Sequence, residues 1–141
     1  HLTIKKLNLK IVDSSIYFEL AHSLGVPEKG LSNLKEQLFG LEANFEELNA
    51  IDFKKGCYVG QENTARMMLK NKIRKKLLAV KIDGDIEVGE DLKFGEIKIG
   101  KILVDKPHSF ALVKLFDPDF SDFKDKELDC GKVKAKIINS Y

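Results

Sequence analysis

Beyond residue 73, short apolar runs alternate with turns rich in glycine and aspartate, and this spacing restricts the second half of the chain to a small all-β unit. Leu77-Leu78-Ala79-Val80-Lys81-Ile82 stops at Asp83-Gly84-Asp85. Turns are expected at Gly89-Glu90-Asp91 and Gly95-Glu96, and Ile97, Ile99, Ile102 and Val104 mark a strand interrupted at Gly100. The run from Phe110 to Phe116 ends at Asp117-Pro118-Asp119, and Val133-Lys134-Ala135-Lys136-Ile137 alternates apolar and polar residues. Four or more short strands punctuated in this way predict a small antiparallel barrel or sandwich.

The first half mixes periods. Leu7, Leu9 and Ile11 alternate with Asn8 and Lys10, which predicts a strand. Asp13-Ser14-Ser15 supplies an N-cap for a helix running from Ile16 to Leu24, which Gly25 ends and Pro27 keeps from resuming. Residues 28–50 read as loop with short helical turns, and a short helix is expected from Gly60 to about Leu69. The composition change near Asn71-Lys72 divides the chain into an α+β part, 1–72, and a β part, 73–141.

A net charge of +2 supplies no global field toward nucleic acid or membrane, and no apolar run approaches the roughly 20 residues that span a bilayer. The start at His1 lacks the apolar stretch of a secretory signal. Two cysteines, Cys57 and Cys130, make neither a disulfide framework nor a zinc site, so a reducing intracellular compartment is expected. His1, His22 and His108 have no ligand-like spacing and read as surface or core histidines. Phosphate-loop, zinc-protease and nucleophile-elbow motifs are missing.

Chemistry concentrates in Lys54-Lys55-Gly56-Cys57-Tyr58-Val59-Gly60-Gln61-Glu62-Asn63-Thr64-Ala65-Arg66. A cysteine just ahead of a helix has its thiolate favoured by the helix dipole and free N–H groups, and Lys54 and Lys55 would add to this. A free cysteine is also commonly a small buried hydrophobe, and both readings stay open for Cys57. Gly56 and Gly60 would permit a sharp turn or a close backbone approach to a ligand. Arg66 and Arg74 are the only arginines among 24 Lys and Arg residues. The guanidinium fork suits a specific carboxylate or phosphate acceptor. Glu62, one helical turn before Arg66, could align it, with Gln61 as a polar reader; an ordinary exposed ion pair is the plainer expectation. The basic run Lys70, Lys72, Arg74, Lys75, Lys76 reads mainly as a solvated edge leading into the first strand, because no aromatic residues are interleaved for base stacking.

The run from Phe53 to Glu62, with Ala65-Arg66 after it, resembles the Lys-Gly-Cys-Tyr-x-Gly-Gln-Glu-x-x-x-Arg motif of the YgfZ family. These are folate-binding proteins of iron–sulfur cluster assembly and repair, related in fold to the glycine-cleavage T-protein, an aminomethyltransferase. Leu24-Gly25-Val26-Pro27-Glu28-Lys29-Gly30 resembles the family's Gly-Ile-Pro-Glu segment, and Glu42-Ala43-Asn44-Phe45 its Pro-x-Glu-x-Asn-Leu segment, without the proline. The resemblance implies an α+β chain: the C-terminal portion of a T-protein-like folate-binding domain (1–72) followed by a small antiparallel β-barrel (73–141). Cys57 is implied as the working residue, within a motif of Lys55, Gly56, Tyr58, Gly60, Gln61, Glu62 and Arg66. Tetrahydrofolate is implied as the cofactor of the full-length protein, with Glu42 and Asn44 as candidate contacts. Implied partners are iron–sulfur assembly proteins or clients, including radical-SAM enzymes that modify tRNA, with no direct nucleic-acid or membrane contact. The compartment would be the bacterial cytoplasm or, in a eukaryote, the mitochondrial matrix. A folate-dependent aminomethyltransferase and a non-catalytic interaction module are the alternatives.

Overall fold

A computed structural model describes residues 7, 9–28, 30–56, 59–70 and 73–138. Six strands, β1 (Lys75–Ile82), β2 (Asp91–Phe94), β3 (Ile97–Val104), β4 (Ser109–Lys114), β5 (Leu128–Cys130) and β6 (Val133–Ile137), close into an antiparallel barrel in the order β1-β4-β3-β2-β5-β6. Two hairpins turn through two residues each, Gly95-Glu96 after the Phe94–Ile97 pair and Gly131-Lys132 after the Cys130–Val133 pair. The leading glycines take φ of +61° and +58°, a conformation costly to any residue with a Cβ.

Side chains alternate across the barrel wall. Leu78, Val80, Leu92, Ile99, Ile102, Val113, Phe123 and Leu128 fill the interior. Leu77, Ala79, Leu103, Val104 and Phe110 form a second buried cluster with Leu34 and Leu38. This explains the unbroken apolar run Leu77-Leu78-Ala79-Val80: β1 is covered on both faces, by the barrel interior and by the N-terminal segment.

That N-terminal segment contains helix α1 (Ser15–Ser23), a 3-10 turn at Leu31–Leu34 and helix α2 (Gln61–Leu69). The Asp13 carboxylate accepts from the Ser15 N–H at 2.8 Å, opening α1, and Gly25 at φ +73° ends it. Gly30, at φ +84°, lies against the barrel; a Cβ there would fall 2.6 Å from Cγ1 of Val104.

Three sequence expectations are corrected. Residues 7 and 9–12 lie in no strand, and Leu7, Leu9 and Ile11 are exposed; alternation makes a strand only where a neighbouring strand can pair with it. Gly100 does not interrupt β3. It pairs with Val113 of β4, and a Cβ there would meet the Leu112 carbonyl oxygen at 2.8 Å. Asp91 opens β2 rather than completing a turn. The β5 strand, of three residues, is too short to leave a periodic trace.

Candidate functional site

Cys57 and Tyr58, at the centre of the motif, lie outside the described residues. Their flanks are defined. Residues 52–56 form an exposed loop in which the Asp52 carboxylate accepts from the Lys54 N–H at 2.8 Å. Gly60 takes φ +88° with open space where a Cβ would stand, so glycine is required there for the turn and not for a close approach. Gly56 likewise has nothing within 4 Å of a built Cβ. The turn at Gly60 delivers the chain into α2, which starts four residues after Cys57.

None of the residues of α2 is buried. Glu62 occupies the first turn, where the helix dipole favours an acid. Glu62 and Arg66 do share the helix, but no ion pair joins them, so Glu62 does not align the guanidinium. Asn63, Arg66, Met67 and Lys70 instead line a cleft of ≈ 260 Å³ whose remaining wall is Phe39.

Phe39 also borders a larger cleft of ≈ 680 Å³, mostly apolar, lined by Val26, Pro27, Leu34, Leu38 and Phe45, with Glu28 and Lys35 at its polar edge. Both upstream segments singled out in the sequence therefore reach the same cleft, Val26-Pro27-Glu28 on one side and Ala43 and Phe45 on the other. Gly40 permits this packing: a Cβ there would come to 3.0 Å from the Phe45 ring.

Glu42 and Asn44 do something different. The Glu42 carboxylate accepts from the Phe39 N–H at 3.0 Å, closing the turn that carries Phe39. The Glu42 carbonyl accepts from the Leu77 N–H at 2.7 Å, and Nδ2 of Asn44 donates to the Leu77 carbonyl at 2.6 Å. Strand β6 pairs with β1 only from Val80 onward, so the loop takes over the strand edge that β6 leaves open. Asn44 is fully buried at φ +62° and does not line the cleft; its Oδ1 has no partner. Its Nδ2 is committed to the loop–barrel junction. Lys76 ties the same loop down by pairing with Glu47, and burial lowers its pKa while Glu46 raises it.

The histidines, unremarkable in sequence, meet in space. His22 on α1 stacks on His108 with ring centroids 4.7 Å apart and packs edge-on against Phe110 at 4.9 Å. Nε2 of His22 lies 2.9 Å from the Ser109 carbonyl, which can only accept, so that nitrogen carries the proton. Burial lowers the His22 pKa below 6.5; the Ser109 bond opposes this and His108 adds to it. Tertiary folding creates this pair, and no local spacing announces it. No cluster of three or more potential metal ligands occurs among the described residues.

Cys130 is fully buried in the barrel wall, and its thiol is pushed up to about 11, chiefly by burial, with Glu90 and Asp91 adding. It is the inert kind of cysteine. No described helix is long and apolar enough to cross a membrane.

No protein-family model matches the chain. Curated relatives are found. The chain is 39% identical over 75 residues to the mouse protein named iron-sulfur cluster assembly factor IBA57, mitochondrial, covering 52% of the chain and 21% of the relative. This chain resembles iron–sulfur cluster assembly factors. The Neurospora crassa IBA57 homolog is 44% identical over 55 residues (39% of the chain, 12% of the relative). The Saccharomyces cerevisiae factor is 34% identical over 88 residues (60% of the chain, 18% of the relative). The matches thus span about a fifth or less of the relatives' own length. All three relatives carry the word mitochondrial in their names.

Proposed function

We propose that the protein carrying this chain acts in the assembly or repair of iron–sulfur clusters, with Cys57 as its working thiol. The observation that carries the reading is the similarity to proteins named as assembly factors. It is supported by a motif that sets a cysteine between two lysines and a helix start. A thiol four residues before the N-terminus of α2 has lysine charge and free N–H groups close in sequence, which favours the thiolate, the form that binds iron. In this role the Cys57 thiolate, its proton already lost to solvent, donates a lone pair to an iron of a cluster in transit and displaces a thiolate of the carrier, which leaves and takes up a proton. The cluster is cargo, and the clients are enzymes that depend on [4Fe–4S] clusters, with tRNA-modifying radical-SAM enzymes among them. The relatives' names support a mitochondrial compartment.

Tetrahydrofolate belongs to the same proposal, as a carrier that supplies one-carbon chemistry when bound. Asn44, fully buried with Nδ2 on the Leu77 carbonyl, leaves only its unpartnered Oδ1 for a ligand. Of the upstream segments, the groove beside Phe39 presents Lys35 and the rings of Phe39 and Phe45. Depletion of the gene product in its own host tests the function. Activities of [4Fe–4S] enzymes should fall while their protein levels hold; unchanged activities would sink the reading.

A further inference from the structure

Helix α1 is held to the barrel by few groups. Of its nine residues only Ala21 and His22 are buried, while Ile16, Tyr17 and Leu20 are exposed. A helix shorter than about 12 residues is marginal in water, so α1 depends on this docking. One of the two docking side chains is a histidine, the residue type whose charge changes near neutral pH. Its ring stacks on His108 at 4.7 Å, meets Phe110 at 4.9 Å and donates through Nε2 to the Ser109 carbonyl at 2.9 Å. Donation through Nε2 leaves Nδ1 as the nitrogen open to a further proton.

The neutral ring suits this seat and a charged one does not. The space enclosed by Phe18, His22, Val26, Pro107, His108 and Phe110 is ≈ 10 Å³, room for one water at most and too little to solvate a cation. On its other side His22 borders an open cleft of ≈ 340 Å³, which gives a proton its path to the ring. The titratable groups around the seat and the cleft are Glu19 from α1, Glu28 from the segment after it, Lys81 from β1 and His108 from the β3–β4 connection. The Glu28 carboxylate accepts from the Tyr17 hydroxyl, Glu19 and Lys81 oppose one another in charge, and His108, the ring in contact, offers no negative charge. No ion pair joins His22 to either carboxylate. Release of α1 would also reach the chain beyond it: the Val26 N–H donates to the Ala21 carbonyl at 2.8 Å, and Val26, Pro27 and Glu28 wall the larger cleft beside Phe39.

We propose that α1 is an acid-released latch: with His22 neutral it lies closed against β4 and the β3–β4 connection, and a proton taken from solvent onto Nδ1 of His22 frees it together with the cleft wall that follows. The device is independent of Cys57 and of the cluster chemistry. With α1 closed, burial keeps His22 below its ordinary 6.5, so closure is fully favoured above pH 6.5 and weakens as pH falls toward the closed-state pKa. One proton changes the closing equilibrium by at most about tenfold per pH unit.

Hydrogen exchange of the full-length protein, corrected for the intrinsic pH dependence of amide exchange, tests the latch. Protection of the α1 amides should fall by up to about tenfold between pH 7.5 and 5.5. These amides should stay less protected than those of β1 and β4 and respond less to low urea, the mark of local release. In His22→Gln, which keeps an N–H for Ser109, and in His22→Phe, which keeps the stacked ring, the pH dependence should vanish. His108→Gln, Glu19→Gln and Glu28→Gln remove the other groups that change charge toward acid, one at a time, and each should keep the drop; this assigns the proton to His22 even where a His22 variant no longer docks α1. A drop that persists in both docked His22 variants, or that disappears in one of the other three, would overturn the proposal. So would α1 protection that does not change with pH, or that matches the barrel in size and urea response.

Discussion

Removing the Asn44 side chain should loosen the loop from the barrel, by an amount that can be worked from its surroundings. Asn44 is fully buried at φ +62°, and its Nδ2 donates to the Leu77 carbonyl at 2.6 Å. In Asn44→Ala that carbonyl loses its partner without gaining water, a cost of about 1–3 kcal/mol. An alanine held in the left-handed region adds about 1 kcal/mol, since asparagine tolerates that conformation better. Removal of the unpartnered Oδ1 gives part of this back, about 1 kcal/mol. The net loss is about 2 kcal/mol. Asn44→Gly separates the two contributions: it forfeits the hydrogen bond but relieves φ, and should lose less than alanine. Urea unfolding measures the total, and hydrogen exchange at the Leu77 amide, which donates to the Glu42 carbonyl, reports local opening of the junction. A loss below about 0.5 kcal/mol, the range of an ordinary surface change, with Leu77 exchange unaltered, would refute the holding of the loop to the barrel by Asn44.

Other consequences follow from single residues. His22 has a folded-state pKa below 6.5, so its contribution to stability is complete above pH 6.5 and is lost as pH falls through the folded pKa. Stability should fall between pH 7 and 5 with a slope of at most about 1.4 kcal/mol per unit from this one proton, and His22→Gln should flatten it. Glu19, Glu28, Lys81 and His108 line the clefts beside His22, and urea melts of the His108→Gln variant separate its share. Gly30→Ala should cost about 2–3 kcal/mol, combining φ +84° with the approach to Val104, whereas Gly95→Ala, with open space around it, should cost only about 1 kcal/mol; thermal melts compare them. Cys130 should resist alkylation at pH 8 in the native protein and react once denatured, because it is buried with its thiol pushed up to about 11.

The barrel was legible because its turns are local chemistry. Gly95-Glu96 and Asp83-Gly84 announce themselves, and β4 and β6 carry their own apolar pattern. β2 and β5 were not legible, since Asp91, Lys93 and Asp129 are polar residues held in strands by their neighbours' pairing. Leu7, Leu9 and Ile11 carry the right alternation without a partner strand. For the site, the short helix after the motif could be read from residues 60–69. That Asn44 points inward could not, because it depends on Leu77, 33 positions away. The meeting of His22 with His108 and the convergence of both upstream segments on Phe39 depend in the same way on how the N-terminal segment lies against the barrel.

The central claim is that Cys57 does chemistry in cluster maintenance. The most direct measurement is complementation of cells lacking their own counterpart, with the full-length gene as wild type or Cys57→Ala. The readout is the level of a tRNA modification made by a radical-SAM enzyme, at matched protein levels. Restoration by the wild type and failure of the variant, with the variant's melting temperature unchanged, is the predicted result. Equal restoration by both would contradict the claim and leave the motif a structural role.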